Sequence, residues 1–313
     1  MEYILAADIG GTKLAVALFR ADGVMVSSTV KKSETEDGEL LYHLFTNACD
    51  ELCTKAGVER TGIKGISIGL PGIVDVDKGV AVFQNNLPWR DFPIKERLSG
   101  IFTEADIKVD NDVYMAAWGE YKQRGFAEES LVYVTLSTGI SCCSIIGGQF
   151  VRGAGMAGEI GFGIVDDRML SLETQVSGPA MEAKGKTAFA DPDMTLHDIM
   201  DRYYANDDQA VFILNEAVRA LAKQVHHTLL LLDPHAIVLG GGVFNNHPRL
   251  VEAVKNELAD YLQHPLFKGK EKRIETSLLK GNAGLWGAFF RFGTRKKDSV
   301  EESNPIYCLT NEV

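Results

Sequence analysis

The stretch Ala7-Asp8-Ile9-Gly10-Gly11-Thr12-Lys13 gathers groups that can handle a phosphate. It separates two apolar runs, Tyr3-Ile4-Leu5-Ala6 and Leu14-Ala15-Val16-Ala17-Leu18-Phe19. Two β-prone runs around a Gly-Gly pair predict a hairpin, because glycine reaches the positive φ such turns need. Asp8 closes the first run, Gly10 and Gly11 leave backbone N–H groups bare, Thr12 adds a hydroxyl and Lys13 a cation. Bare N–H groups in a tight turn form an anion-binding concavity. A carboxylate beside it can hold a magnesium ion, directly or through water. These parts suit the phosphate tail of a nucleotide. An ordinary Gly-Gly hairpin explains the stretch equally well on its own. The pattern is neither GxxxxGK[ST] nor GxGxxG.

A second acid stands at a comparable junction. Ile107-Lys108-Val109 predicts a strand, and Tyr114 to Gln123 a helix stopped by Gly125. Asn111-Asp112 falls between them, which puts Asp112 at a cleft edge rather than in a core. Taken alone, Asp112 reads as a helix cap.

The elements that position these residues follow from periodicity. Val24 to Lys32 predicts a third strand, and Leu41, Leu44, Phe45, Ala48 and Leu52 a helix from about Gly38 to Ala56. Ile63 to Leu70 is a strand ending in the sharp turn Leu70-Pro71-Gly72. Val80 to Phe83 leads into the polar-aromatic loop Asn85-Asn86-Leu87-Pro88-Trp89, and Ile94 to Ile101 is a short helix. This βββαβα order predicts an α/β lobe with a mixed sheet. The second half restarts the same grammar. Leu131 to Leu136 and Ser141 to Ile146 are strands around Ser137-Thr138-Gly139-Ile140, closed by Gly147-Gly148. Asp207-Asp208 caps a long helix that Asp233-Pro234 ends. Ala236 to Leu239 is a strand opening into Gly240-Gly241-Gly242, Leu250 to Leu262 a helix, and Ala283 to Phe292 a small-and-aromatic helix. Two related lobes are expected, followed by a polar tail from Thr294.

A chain of 313 residues, 45% hydrophobic, buries a core easily. Its formal charge of −11 argues against nucleic acid or an anionic membrane as a partner. The start lacks the basic region of a signal peptide, and Leu229 to Leu239 is broken and too short to span a bilayer. Five cysteines without framework spacing read as free thiols in a reducing cytoplasm.

Nine short elements carry a resemblance. They are DIGGTK at 8–13, GLPGIVD at 69–75, QNNLPW at 84–89, VDNDVYMAAWGE at 109–120, STGI at 137–140, GMAGEIG at 155–161, LETQVSG at 172–178, LDPHAIVLGGGV at 232–243 and KGNAGLWGA at 280–288. In this order they resemble the ROK family of sugar kinases, within the actin-like ATPase superfamily. The resemblance reaches about Phe292. It implies a two-lobed α/β fold, actin-like and ribonuclease H-like, with an interdomain cleft. The expected boundaries are 1–116, 117–281 and a returning C-terminal helix with tail over 282–313. Regulators in the family carry a DNA-binding segment ahead of the core; this core begins at residue 1.

The resemblance also implies roles. Asp112 would be the catalytic base, orienting the attacking hydroxyl and taking its proton late. Asn86 and Asn111 would bind sugar hydroxyls, since an amide both donates and accepts. Glu159 and Glu173 would be the sugar-binding carboxylates, and Gly72 would bring backbone close to the sugar. Gly10, Gly11, Thr12 and Lys13 would hold the terminal phosphates of ATP, with Asp8 near magnesium through water. Thr138 and Gly139 would form the second phosphate turn, and Gly241 and Gly242 would lie against adenosine. The activity implied is ATP- and magnesium-dependent phosphorylation of a hexose at its 6-hydroxyl, by a cytoplasmic homodimer. The rival is a sugar-binding regulator with lost catalysis. Two departures bear on this choice. Ser137, Ser141 and Cys143 replace glycines of the usual GTGIGxG turn. Phe162 replaces the histidine after GEIG, and 163–171 holds no cysteine, so no structural zinc site is expected.

Overall fold

The computed structural model describes residues 2–166 and 169–293. The tail from Thr294 lies outside them. The first sheet is built from β1 (Tyr3–Ile9), β2 (Lys13–Arg20), β3 (Met25–Lys32), β4 (Ile63–Leu70) and β8 (Asp106–Asn111), in the order β3-β2-β1-β4-β8. A small antiparallel sheet of β5 (Ile73–Asp75), β6 (Val80–Phe83) and β7 (Arg90–Phe92) branches off after β4. β1 is apolar on both faces because helices cover both. Leu5, Ala7 and Ile9 pack on Leu41 and Phe45 of α1 (Gly38–Ala56). Ile4 and Ala6 face Met115, Leu285 and Phe289 on the other side. Edge strand β3 alternates exposed and partly covered residues instead, as one open face requires.

The second sheet contains β9 (Leu131–Leu136), β10 (Ile140–Ile146), β11 (Gln149–Phe150), β12 (Ala236–Gly240) and β13 (Ile274–Thr276), in the order β11-β10-β9-β12-β13. The antiparallel pairs β1–β2 and β9–β10 occupy equivalent places in the two sheets. Short α2 (Ile94–Ser99) precedes β8. The central helix α3 (Asp112–Gln123) packs Met115 on the first sheet, and Ala117 and Tyr121 on the second. The segment 172–204, to which no element is assigned above, folds into α4 (Leu172–Val176), α5 (Gly178–Phe189) and α6 (Leu196–Tyr204). They pack on α7 (Asp208–Leu232), the long helix, capped by Asp207. α8 (Gly241–Asn246) and α9 (Pro248–Tyr261) follow β12. α10 (Ala283–Phe290) returns to the first sheet and crosses α3 at Gly287 and Met115, with no room for a side chain at 287.

Most boundaries match the periodicity. The central helix starts two residues earlier than expected, so Asn111 is its cap and Asp112 its first residue. Cys49, Cys53, Cys142 and Cys143 are buried free thiols. No helix among the described residues is long and apolar enough to cross a membrane.

Candidate functional site

The β1–β2 hairpin presents its tip beside the C-terminal helix. The Gly10 N–H donates to the Lys13 carbonyl at 2.9 Å, closing the turn, so the bare donors expected at the tip start at Gly11. The Ser33 N–H donates to the Thr12 carbonyl at 3.2 Å and braces the tip from below. A Cβ on Gly284 would lie 2.7 Å from Asp8 Oδ2, so the first turn of α10 rests on the Asp8 carboxylate. Burial pushes the Asp8 carboxyl up, and Lys13 partly offsets this.

β8 delivers Asn111 and Asp112 to the same cleft. Asn111 Oδ1 accepts from the N–H groups of Val113 (2.9 Å) and Tyr114 (3.4 Å), the cap that starts α3. Its Nδ2 donates to the Gly72 carbonyl at 3.1 Å. The Asn111 amide is therefore mostly engaged by the protein, with one N–H left for a ligand. Gly72 has φ +74°, and a Cβ there would collide with the Phe83 carbonyl, so this turn requires glycine. Asp112 Oδ1 accepts from the Val113 N–H at 2.9 Å. Its carboxyl is nevertheless pushed up to about 7, first by burial, then by the charge of Asp8, with a further contribution from Glu159. Asp8 on β1, Asp112 at the start of α3 and Glu159 on the loop before 160–162 thus form one electrostatic group.

Asn86 is exposed in the loop between β6 and β7. Buried Leu87 and Trp89 pin that loop, and Trp89 Nε1 donates to the Gly38 carbonyl at 2.9 Å. In the second lobe, Glu173 Oε2 accepts from the Ile140 N–H at 3.2 Å. A Cβ on Gly139 would lie 2.6 Å from that oxygen. Glu173 therefore sits on the second hairpin tip, next to Thr138 and Gly139. The replaced glycines do not crowd this tip. Ser141 Oγ donates to the Gly158 carbonyl at 3.1 Å, and Cys143 is buried among Tyr121, Leu131 and Ile145. Ser137 Oγ faces Gly242, 3.4 Å from where a Cβ would stand. Gly241 has φ +85° and lies flat on the Leu136 backbone.

Sequence reasoning missed three residues around this cleft. Tyr133, buried in β9, accepts a hydrogen bond from the Gly241 N–H; burial and the nearby acids Glu120, Asp8 and Asp112 keep its phenol protonated. An aromatic inside an aliphatic strand was the available signal. Asp110 and Arg152 pair across the lobes, which no local pattern announces. Among the described residues no group of three or more His, Cys, Asp or Glu is placed to hold a metal. Phe162 stands 72% exposed after Glu159.

A sequence model of the ROK family matches residues 4–294. The glucokinase of Halalkalibacterium halodurans is 27% identical, over 97% of this chain and 98% of that one. The kanosamine kinase of Amycolatopsis mediterranei is 29% identical, over 91% of this chain and 94% of that one. The crystal structure of a ROK family glucokinase from Streptomyces griseus, in complex with glucose and AMPPNP, superposes with a TM-score of 0.75. It is 25% identical and covers 91% of this chain and 97% of that one. With its sheets, its nine ordered elements and its family match in agreement, the chain belongs to the ROK family and has the two-lobed, actin-like α/β fold of ROK kinases.

Proposed function

We propose that this protein is an ATP-dependent sugar kinase that phosphorylates a hexose or hexose derivative at its 6-hydroxyl. The observation that carries the reading is the Asp112 carboxyl. It is held near neutrality between Asp8, at the phosphate-type hairpin, and Glu159, on a loop of the other lobe. A general base works best with a pKa close to the operating pH. The relatives named glucokinase and kanosamine kinase support a sugar as acceptor.

In this reading Gly11, Thr12 and Lys13 hold the terminal phosphates, with Gly10 closing their turn. Thr138 and Gly139 approach from the second hairpin, and Gly241 and Gly242 line the adenosine. Asn86, the free part of the Asn111 amide, Glu159 and Glu173 bind sugar hydroxyls, with Gly72 holding Asn111 in place. Asp112 orients the attacking hydroxyl and accepts its proton. The mutual repulsion of Asp8 and Asp112 suits a divalent cation with oxygen ligands, and Asp8 would hold magnesium there through water. Magnesium would neutralise charge on the phosphates. Closure of residues 1–116 on 117–281 would exclude water from the cleft. The side chains of Ser141 and Cys143, turned away from the second tip, leave room for a phosphate and favour the kinase over a regulator without catalysis.

Calorimetric titration of a non-hydrolysable ATP analogue, with and without glucose, separates the two classes. A kinase binds the nucleotide in both conditions; a pure sugar-binding regulator binds the sugar alone.

A further inference from the structure

Two residues outside the sequence-predicted site tie the lobes together beside it. Asp110 stands two residues before Asp112 on β8, with its side chain almost completely buried. Arg152 follows β11 and opens the run that ends in Glu159. Its guanidinium grips Asp110 with both arms, Nη1 to Oδ1 at 3.0 Å and Nη2 to Oδ2 at 2.6 Å. The guanidinium lies over the ring of Tyr114 at 4.5 Å and against that of Phe150 at 5.1 Å. Asp110 Oδ1 also accepts from the Asn111 N–H at 2.8 Å, so the pair is continuous with the strand end that delivers Asp112.

The run between Arg152 and Glu159 is anchored at both ends and soft between them. At its start the Arg152 fork fixes it to β8. The Tyr114 hydroxyl adds long contacts of 3.4 Å to the Val151 and Ala157 carbonyls. At its end the Gly158 carbonyl accepts from the Cys142 N–H at 2.8 Å and so belongs to the second sheet. Between the anchors Gly153 and Gly155 have φ of +56° and +105°, where glycine adds little stiffness. The Asp110–Arg152 pair therefore ties the start of the loop carrying Glu159 to the strand end that leads into Asp112.

We propose that Arg152 is a positioning residue for the acceptor sugar. Through Asp110 it sets where Glu159 stands relative to Asp112, and so how the two carboxylates share one sugar. This rests on the kinase reading above. A bidentate arginine–carboxylate pair fixes orientation as well as distance, which a lysine cannot reproduce. A misplacement of 1 Å at a reacting centre costs about 100-fold.

The test uses the full chain with Arg152→Ala and Arg152→Lys. Hexose KM, ATP KM and kcat are measured together with amide hydrogen exchange of the sugar-free protein. Arg152→Ala is expected to raise the hexose KM by about 10-fold or more, with the ATP KM within about twofold and Arg152→Lys in between. Exchange should quicken in 151–159 and at the start of α3 while the sheets stay protected. A hexose KM equal to wild type in Arg152→Ala overturns the proposal. So does a parallel rise of both KM values with faster exchange throughout, the mark of a general brace. Failure of the kinase reading itself shows in the wild type, as the absence of hexose phosphorylation, before any variant is compared.

Discussion

Gly11 and Asn86 touch across the cleft wall: a Cβ on Gly11 would fall 2.7 Å from the Asn86 Cβ and 3.0 Å from its carbonyl oxygen. The phosphate-type hairpin and the polar-aromatic loop, 75 positions apart in the sequence, therefore form one continuous surface. A phosphate held at Gly11 and a hydroxyl held at Asn86 would be neighbours, as direct transfer between donor and acceptor requires.

Asp112→Asn keeps the size and the Val113 contact of the side chain but cannot accept a proton. Turnover is expected to fall at least about 100-fold, the scale of general-base catalysis, with hexose binding largely retained. Steady-state kinetics beside sugar titration checks this. Near wild-type turnover would remove Asp112 from the role of base.

The raised carboxyl of Asp112 has a signed consequence for pH. In the unfolded chain an aspartate titrates at about 3.9, whereas here the folded carboxyl titrates at about 7. Between those values the native protein keeps a proton that the unfolded chain has lost, so stability falls as pH rises through this window. In the metal-free protein Asp112→Asn should then melt about 6 °C above wild type at pH 8, with the difference vanishing towards pH 4. Calorimetry across pH gives the curve. A pH-independent difference would show that burial and Asp8 do not perturb the group. In kinetics the same carboxyl must be ionised, so kcat/KM should climb with pH across the same range.

Much of this site was legible because its chemistry sits at turns. Gly-Gly after Asp8, Asn111-Asp112 between a strand and a helix, and the Ser137 to Ile140 turn are local patterns that fold locally. What stayed hidden is non-local. Asp110 looks like one more polar residue at a strand end until Arg152, 42 positions away, reaches it. The engagement of the Asn111 amide by Gly72 depends on a turn 39 positions earlier. α4 is short and α5 buries only a few positions, two of them glycines, which weakens the helical period there; α6 did carry a local signal, with Leu196, Ile199, Met200 and Tyr203 at helical spacing behind a Thr195–Asp198 capping box.

Phe162 stands where the resemblance implies a histidine reaching the sugar near its anomeric end. A phenyl ring neither donates nor accepts a conventional hydrogen bond, and at 72% exposure it leaves a hydroxyl there to water rather than pairing it. Wild type should therefore tolerate substituents near the anomeric end, including N-acylated hexosamines and hexosides. Phe162→His should tighten recognition of free glucose. A substrate panel compares the two, and equal strictness in both proteins would contradict this.

The metal requirement should be magnesium alone. Elemental analysis of the purified protein is expected to find no stoichiometric zinc, and chelation should leave the fold intact while abolishing activity until magnesium is restored. About one tightly held zinc per chain would contradict this.

The most direct test is phosphorus NMR of the purified protein with ATP, magnesium and a panel of hexoses, glucose first. The account requires ADP and a hexose 6-phosphate in equal amounts, with neither formed when magnesium is omitted. A protein that binds both ATP and a hexose, yet transfers no phosphate to any hexose on prolonged incubation, would contradict it.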